Sequence, residues 1–444
     1  MTNSKTRVSL NVNRGGFLMK TKMKKIVLIA IVILCISVFG LSAQGKLDEG
    51  SPVTITVWDW FYGSDGSQGD LAEAIDAAFE KKFPTIKVNH EAVSHPPYDV
   101  YAASMAAKKG ADVLLIHANG QNFQDMAESL VVLDDYIQDV WEDFAESILA
   151  DTAPNRDITQ GVRGLPISIQ GWVWYYNKSL FEKAGLDPED PPETWEEFLI
   201  TAAALKNAGI IPVGFGEGIH LEMMIAGTLD QVLSLEEKRA LFAGDLSFTD
   251  PKIVNTFAKF RDLFAQGYMD QAGLTTPLLR EMGERFMAGN SAIFRGFVSD
   301  IFNWYEFGNA LGGDNVGVIP NFYFEPSSNR NVVGAAGGTG YAVPTYSKNI
   351  EAAIEYVKFA ASAEGANIML QSGGGMPANL KADKSLLAND AGREVSELLV
   401  TNIVPPVKAF ITSSQWNALR LHAPLMITGD ISPEEYGSRI DQAR

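Results

Sequence analysis

"GLPISIQGWVWYYNKSLFEKAGL", residues 164–186, is the stretch from which the rest of the chain is read. Its centre, Trp172-Val173-Trp174-Tyr175-Tyr176, holds four aromatics in five residues. In an extended chain, side chains alternate between faces. Trp172, Trp174 and Tyr176 then share one face, and Val173 and Tyr175 the other. A strand apolar on both faces is buried on both faces. Ser168 and Gln170 stand at the edge of this apolar run. They are either polar groups satisfied inside the core or groups that face something that comes and goes.

Strand and helix patterns continue on both sides. "VTITVWDW" (53–60) alternates and is β-rich. "DLAEAIDAAFEKKFP" spaces Leu71, Ile75 and Phe79 by four before Pro84, a helix. "IKVNHEAV" is a strand, "YAASMAAKKG" a helix closed by Gly110, and "ADVLLIH" a buried strand ending at His117. Strand and helix thus alternate over the first stretch after the leader, which is an α/β order with parallel pairing. Further on, Thr194 and Glu197 predict a capping box, Asp250 a cap before Pro251, and Ser432 with Glu435 another box. "SAIFRG" and "NVGVIP" read as strands. With 444 residues the chain exceeds one ordinary core, so two domains are expected. Ligands of open α/β sheets bind at the carboxyl ends of strands, which puts His117 and the loop after Trp60 near a mouth.

The N-terminus reads as a leader. Lys20, Lys22, Lys24 and Lys25 precede an apolar run from Ile26 to Phe39, and Ser42-Ala43-Gln44-Gly45 supplies small residues for cleavage after Ala43 or Gly45. An uncleaved anchor and lipid attachment at Cys35 are the alternatives weighed, and translation from Met19 or Met23 would give a leader of more usual length. A cleavable secretory signal over 1–45, with a periplasmic mature chain, is the reading taken. Removing residues 1–43 takes away seven Lys/Arg and no Asp/Glu, so the formal charge goes from −18 to −25. So acidic a chain does not suit nucleic acid or an anionic membrane surface. Cys35 is the one cysteine, so a mature chain has no disulfide, thiolate nucleophile or thiolate metal site.

Motifs for covalent chemistry are absent from the pattern. The five histidines make no i, i+4 pair, and "HLEMM" is not HExxH. "GAAGGTG" (334–340) lacks the P-loop Lys-Ser/Thr and the GxGxxG order, and reads as tight turns with close backbone approach. "DGSQG" (65–69) departs from the nucleophile elbow at its first residue. No metal and no cofactor is expected. Aromatics and polar groups in predicted loops stand out instead. They are Trp60, Phe61, Tyr62, Asp65 and Gln68, then His117 and Asn119, then Glu217 and His220, then Arg295 and Phe297. Each aromatic taken singly could be core. Flat apolar faces beside hydrogen-bonding groups suit a sugar, which has apolar faces and a hydroxyl rim.

Together these stretches resemble a family. The sequence is similar to ABC-transporter extracellular solute-binding proteins, family 1, the group that includes maltose-binding protein. The landmarks, in order, are "ITVWDW…AIDAAFEKKFPTIKV", "ADVLLI…AESLVVLDDYI", the 164–186 stretch with "PPETWEEFLITAAALK", "FMAGNSAIFRG", "GGTGYAVPTYSKNIEAAIEYVKFAAS" and "GGGMPAN". The resemblance implies an α/β, two-lobed periplasmic binding protein fold (class II-like), its lobes joined by several hinge crossings. It implies an N-terminal lobe of 46–167 plus 338–372 and a C-terminal lobe of 168–337 plus 373–444. Crossings would fall at 166–172, 335–338 and 372–376, where glycines can absorb backbone change. Ser168 and Gln170 would then face the cleft, while Tyr176 and Asn177 would be structural. Gln170 falls where maltose-binding protein has a sugar-contacting carboxylate, and Asn119 near another.

The implied function is a periplasmic receptor that binds a mono- or oligosaccharide and delivers it to the ABC permease transmembrane subunits, as a monomer and without covalent chemistry. The ligand-binding set is Trp60, Phe61, Tyr62, Asp65, His117, Asn119, Gln170, Glu217, Arg295, Phe297, Gly338 and Thr339. Three alternatives stay open: a binder of another small polar solute, a secreted glycosidase with two carboxylates across the cleft, and a ligand-sensing subunit for a membrane kinase.

Overall fold

Two sheets organise the chain, and the 164–186 stretch runs from one into the other. The first contains β1 (Val53–Asp59), β2 (Ile86–Ala92), β3 (Val113–His117) and β4 (Leu165–Pro166). The second is built on β5 (Ile169–Asn177), with β6 (Ile211–Gly214), β7 (Ser291–Phe297), β8 (Val316–Ile319), β9 (Val333–Gly337) and β11 (Ile403–Val404); β10 (Thr339–Ala342) returns to the first. The first sheet has the order β2-β1-β3-β10-β4, with β1 parallel to β2 and β3 and β10 antiparallel to β3 and β4. The second has the order β11-β9-β5-β7-β6, with β8 also on β5. These features come from a computed structural model, which describes residues 52–64, 67–216, 218–276, 279–300, 307–324, 332–387 and 389–444. The leader with Cys35, and the candidate residues Asp65 and Glu217, lie outside the described residues. No helix among the described residues is long and apolar enough to cross a membrane.

β5 is buried on both faces from Val173 to Asn177, while Gln170 and Trp172 are half-buried. It can be so because its first half pairs with β9 and its second half is flanked by β7 and β8. The Tyr176 hydroxyl donates to Pro188 O at 2.7 Å, and the Asn177 side chain caps the next helix at Leu180 N, so both are structural. β1 shows the plain alternation of a strand with one covered face: Ile55, Val57 and Asp59 are buried between half-buried or exposed neighbours. Helix Ser67–Lys82 buries Leu71, Ile75 and Phe79 on that sheet and starts three residues earlier than its apolar spacing predicts. Helix Tyr98–Ala107 ends on Lys108 in the left-handed region (φ 50°), two residues before the glycine expected to close it.

Caps follow local chemistry. The Thr194–Glu197 box is complete, as are boxes at Ser234–Glu237 and Thr412–Gln415. At Ser432 only half forms, because the Glu435 carboxylate turns to Arg439 Nη2 at 2.7 Å. The "GAAGGTG" segment is not a set of tight turns. It forms most of β9 and the start of β10, and none of its glycines has a positive φ. Close approach is their reason: a Cβ on Gly340 would lie 2.8 Å from Pro166 Cα, and one on Gly337 3.0 Å from Ala118 Cβ.

The chain changes sheet between Pro166 and Ile169 and again between Gly337 and Thr339. These passages lie side by side: Gly338 N donates to Ser168 O at 2.8 Å, and Thr339 N to Ser168 Oγ at 2.9 Å. A third strand of chain joins them. Ile169 N donates to Met376 O at 2.9 Å and Ala378 N to Ile167 O at 3.0 Å.

Candidate functional site

A cavity of about 370 Å³ opens at these passages, between the two sheets. Its walls are Trp60, Phe61, Gln68, His95, His117, Ser168, Ile169, Gln170, Phe297, Ser299, Thr339, Gly374, Gly375 and Met376. The first sheet supplies Trp60 from just beyond β1, His117 from the end of β3 and Thr339 from the start of β10. The second supplies Gln170 from β5 and Phe297 from the end of β7. Strand ends thus bring together residues far apart in sequence, as open α/β folds do.

Each wall residue is held. The Trp60 ring lies 4.7 Å from His117 and 5.4 Å from His95, centroid to centroid. The Phe297 ring lies 3.9 Å from Trp172, and its carbonyl accepts from the Tyr175 hydroxyl at 2.9 Å. Gln68 Nε2 donates to Gly374 O at 2.5 Å. Ser168 Oγ and Thr339 Oγ1 are 3.0 Å apart. Burial, then the charges of His95 and Lys408, lower His117 to about 4, so it is a neutral imidazole at neutral pH, with its Nε2 3.3 Å from His95 Nε2. The wall is aromatic and holds no carboxylate, lysine or arginine, and its hydroxyl, amide and imidazole groups can donate or accept.

The loop carrying Trp60 and Phe61 is pinned from below. Phe61 N donates to Asp59 Oδ1 at 2.6 Å, and the Tyr341 hydroxyl donates to Asp59 Oδ2 at 3.0 Å. His90 lies buried between carboxylates, its Nδ1 2.7 Å from Asp76 and its Nε2 3.5 Å from Asp59. Burial opposes its charge, but hydrogen bonds and charge from Asp59 and Asp76 outweigh this and raise it to about 9. The Tyr62 ring stacks on it at 4.3 Å and 2°.

Six of the expected ligand-binding set therefore meet in the cavity wall, Trp60, Phe61, His117, Gln170, Phe297 and Thr339, and Gln68 and Ser168 join them there. Others do not. Tyr62 covers His90 instead of lining the cavity. Asn119 is outside the wall, and its carbonyl accepts from Arg156 Nη2 at 2.8 Å. Gly338 contributes backbone at the passage and no wall surface. Arg295 is a correction: it is fully buried inside the second sheet's core, under Trp174 at 5.0 Å, with Nη1 3.2 Å from Asn321 Oδ1. Phe297, two residues on in the same register, reaches the cavity because it stands at the end of β7; Arg295 lies deeper in that fully buried strand, where its face packs into the core. His220 is core too, its Nε2 2.6 Å from Arg295 O. Sequence reasoning missed His95, Ser299 and Met376. His95 had no partner in its own segment to mark it; only the fold sets it against His117.

Beside His117 stands a charged group. Lys408 Nζ lies 4.8 Å from the Trp416 ring centroid, Arg420 Nε 3.9 Å from buried Glu222, and Arg156 Nη1 3.5 Å from Ala409 O. Burial, against the pull of Arg420 and Lys408, raises Glu222 to about 8. No group of three or more His, Cys, Asp or Glu among the described residues could hold a metal ion.

Comparisons with known proteins fit this geometry. A curated relative is the sn-glycerol-3-phosphate-binding periplasmic protein UgpB of Escherichia coli K12, 24% identical over 290 residues; the match covers 63% of this chain and 64% of the relative, less than two thirds of its length. Among solved structures, a chitin oligosaccharide binding protein superposes with a TM-score of 0.73 at 20% identity, covering 88% of this chain and 98% of that one. Maltose-bound MalE3 of T. maritima gives 0.66 at 21% identity, covering 88% and 98%. At such identities these likenesses establish the two-lobed fold. The sequence profile of the bacterial extracellular solute-binding proteins matches residues 64–367, well over half of the chain, and the chain belongs to that family.

Proposed function

We propose that the protein is the receptor of an ABC importer, capturing a mono- or oligosaccharide in the cavity between its sheets and handing it to the permease transmembrane subunits. The observation that carries this is the wall itself. Trp60, Phe61 and Phe297 offer flat apolar faces, and Gln170, Ser168, Thr339 and neutral His117 offer hydrogen bonds beside them. A ring with apolar faces and a hydroxyl rim fits such a wall, and a cavity of about 370 Å³ is of the size that small ligands occupy. The relatives' names agree in kind, since chitin oligosaccharide, maltose and glycerol 3-phosphate are all hydroxyl-rich.

In this reading the lobes are 46–167 with 338–372 and 168–337 with 373–444. Support comes from the sheet changes at 166–169 and 337–339. Closure would turn about these adjacent passages and the 373–377 segment. The mature chain would work in the periplasm as a monomer after loss of residues 1–45, and would bind without turnover.

A thermal-shift screen over a sugar panel tests the proposal. A ligand at a hundred times its Kd adds about 2.7 kcal/mol to the folded state. A clear rise in Tm with at least one sugar, recovered unaltered by mass spectrometry, is expected. No shift with any sugar, or product formation by the purified protein, contradicts it.

A further inference from the structure

Lys408 sits on the short turn Val407–Phe410, ahead of helix Ser413–Thr428. The turn is anchored: Val407 is buried and its N–H donates to Asp230. The lysine after it is exposed, with its ammonium over the face of Trp416. Arg420 follows Trp416 by four residues, which puts both on one face of the helix. From the first sheet's side, Arg156 reaches the same turn at Ala409 O while its other nitrogen holds Asn119 O, two residues beyond His117. Three cations from three segments therefore converge next to the end of the cavity where His117 stands.

Their counter-charges do not match them. Arg156 has Asp151 at 3.6 Å and Arg420 has Glu222 at 3.9 Å. Lys408 has its ammonium over the Trp416 ring and feels the charge of Glu222, with no direct ion pair among the described residues. Burial keeps Glu222 protonated through neutral pH, since its carboxyl is raised to about 8, so the local excess of positive charge is larger than the pairing suggests. In a chain of formal charge −18 this excess is a local feature and not a consequence of composition. Burial lowers the pKa of the Lys408 ammonium; Glu222 opposes this, and the charges of Arg156 and Arg420 add to it. An ammonium over an aromatic face and beside two guanidinium groups is suited to an anion that arrives.

We propose that Lys408, flanked by Arg420 and Arg156, binds an anionic group, carboxylate or phosphate, carried by the sugar that the cavity takes. The proposal rests on the sugar-receptor reading and narrows it to acidic sugars. An uncharged sugar would fill the cavity and leave Lys408 with water.

Isothermal titration of the mature protein tests it, with hexoses and disaccharides each presented as the neutral sugar, the uronate and the 6-phosphate. Within at least one such set the acidic member is expected to bind about 10- to 100-fold tighter than the neutral one, as a charge-assisted hydrogen bond implies. Whichever acid wins names the anion as carboxylate or phosphate. Lys408→Met, which keeps the stem over Trp416, should remove that advantage while leaving the neutral sugar within about twofold. The acidic advantage should also shrink with added salt. Equal or better binding of neutral sugars in every set overturns the acidic-ligand proposal and leaves the sugar receptor standing. Equal losses for neutral and acidic ligands in Lys408→Met overturn it as well, by making Lys408 structural. No binding by any sugar overturns both readings.

Discussion

Gln170 is where the account of the cavity is most exposed to test. The residue lies on β5 just past the passage between sheets, with its backbone in register with Ala336 on β9. Its side chain is half-buried and lines the cavity. Gln170→Ala therefore leaves the ladder intact and opens space that water already reaches. The apo protein should melt within about a degree of the parent, since substitutions away from core features usually cost under about 0.5 kcal/mol. With ligand the balance differs. The lost hydrogen bond contributes about 0.5–1.5 kcal/mol, and a ligand hydroxyl left unpaired costs about 1–3 kcal/mol. Kd should then rise about five- to 150-fold. Gln170→Leu should be worse, because its methyls exclude the water that would otherwise serve the hydroxyl. The assay is calorimetric titration with the best sugar, beside apo melting curves. Normal binding in Gln170→Ala with a Tm several degrees lower would refute the reasoning and return Gln170 to the core.

Three other substitutions separate roles within the fold. His90→Gln removes an imidazolium whose folded pKa, about 9, exceeds the ordinary 6.5. The stabilisation is full below about 6.5 and lost as pH rises through about 9, so the Tm deficit of the variant should be large at pH 6 and nearly gone at pH 10; a deficit independent of pH refutes this. Glu222 is raised to about 8, so the native state holds its proton more tightly than the unfolded chain and stability falls as pH climbs from about 4.5 through about 8. Glu222→Gln lacks that fall, and its Tm relative to the parent should grow from pH 5 to pH 9 in parallel melting series. Arg295→Met should lower Tm by disturbing the buried group it forms with Asn321, Trp174 and, through charge, Asp230, yet leave Kd unchanged in the protein that remains folded; a selective loss of affinity would put Arg295 back in the site.

What could be read in the sequence was what neighbours in the chain decide. The doubly apolar run in β5, the alternation in β1 and the four-residue spacing of Leu71, Ile75 and Phe79 are local patterns, and each became the expected element. The aromatic pair Trp60-Phe61 was legible because it follows a strand end. Tyr62, one residue on, was not, because a loop has no fixed alternation and the ring is claimed by His90, which comes from β2. Arg295 misled for a related reason. In a strand covered on both faces, register says nothing about which side is functional, and a buried arginine looks the same in sequence as a ligand-facing one. Gln68 meets Gly374 across 306 residues, and Arg156 meets Ala409 across 253. No local pattern encodes such meetings, so the charged group around Lys408 became visible only in three dimensions.

The central claim is that a sugar occupies the cavity at the passages between the two sheets. A crystal structure with the tightest-binding sugar from the screen tests it most directly. The account predicts a sugar ring against Trp60, Phe61 or Phe297, with a hydroxyl about 2.7–3.2 Å from the Gln170 amide. A saturating sugar found elsewhere, with that cavity holding only water, would contradict it.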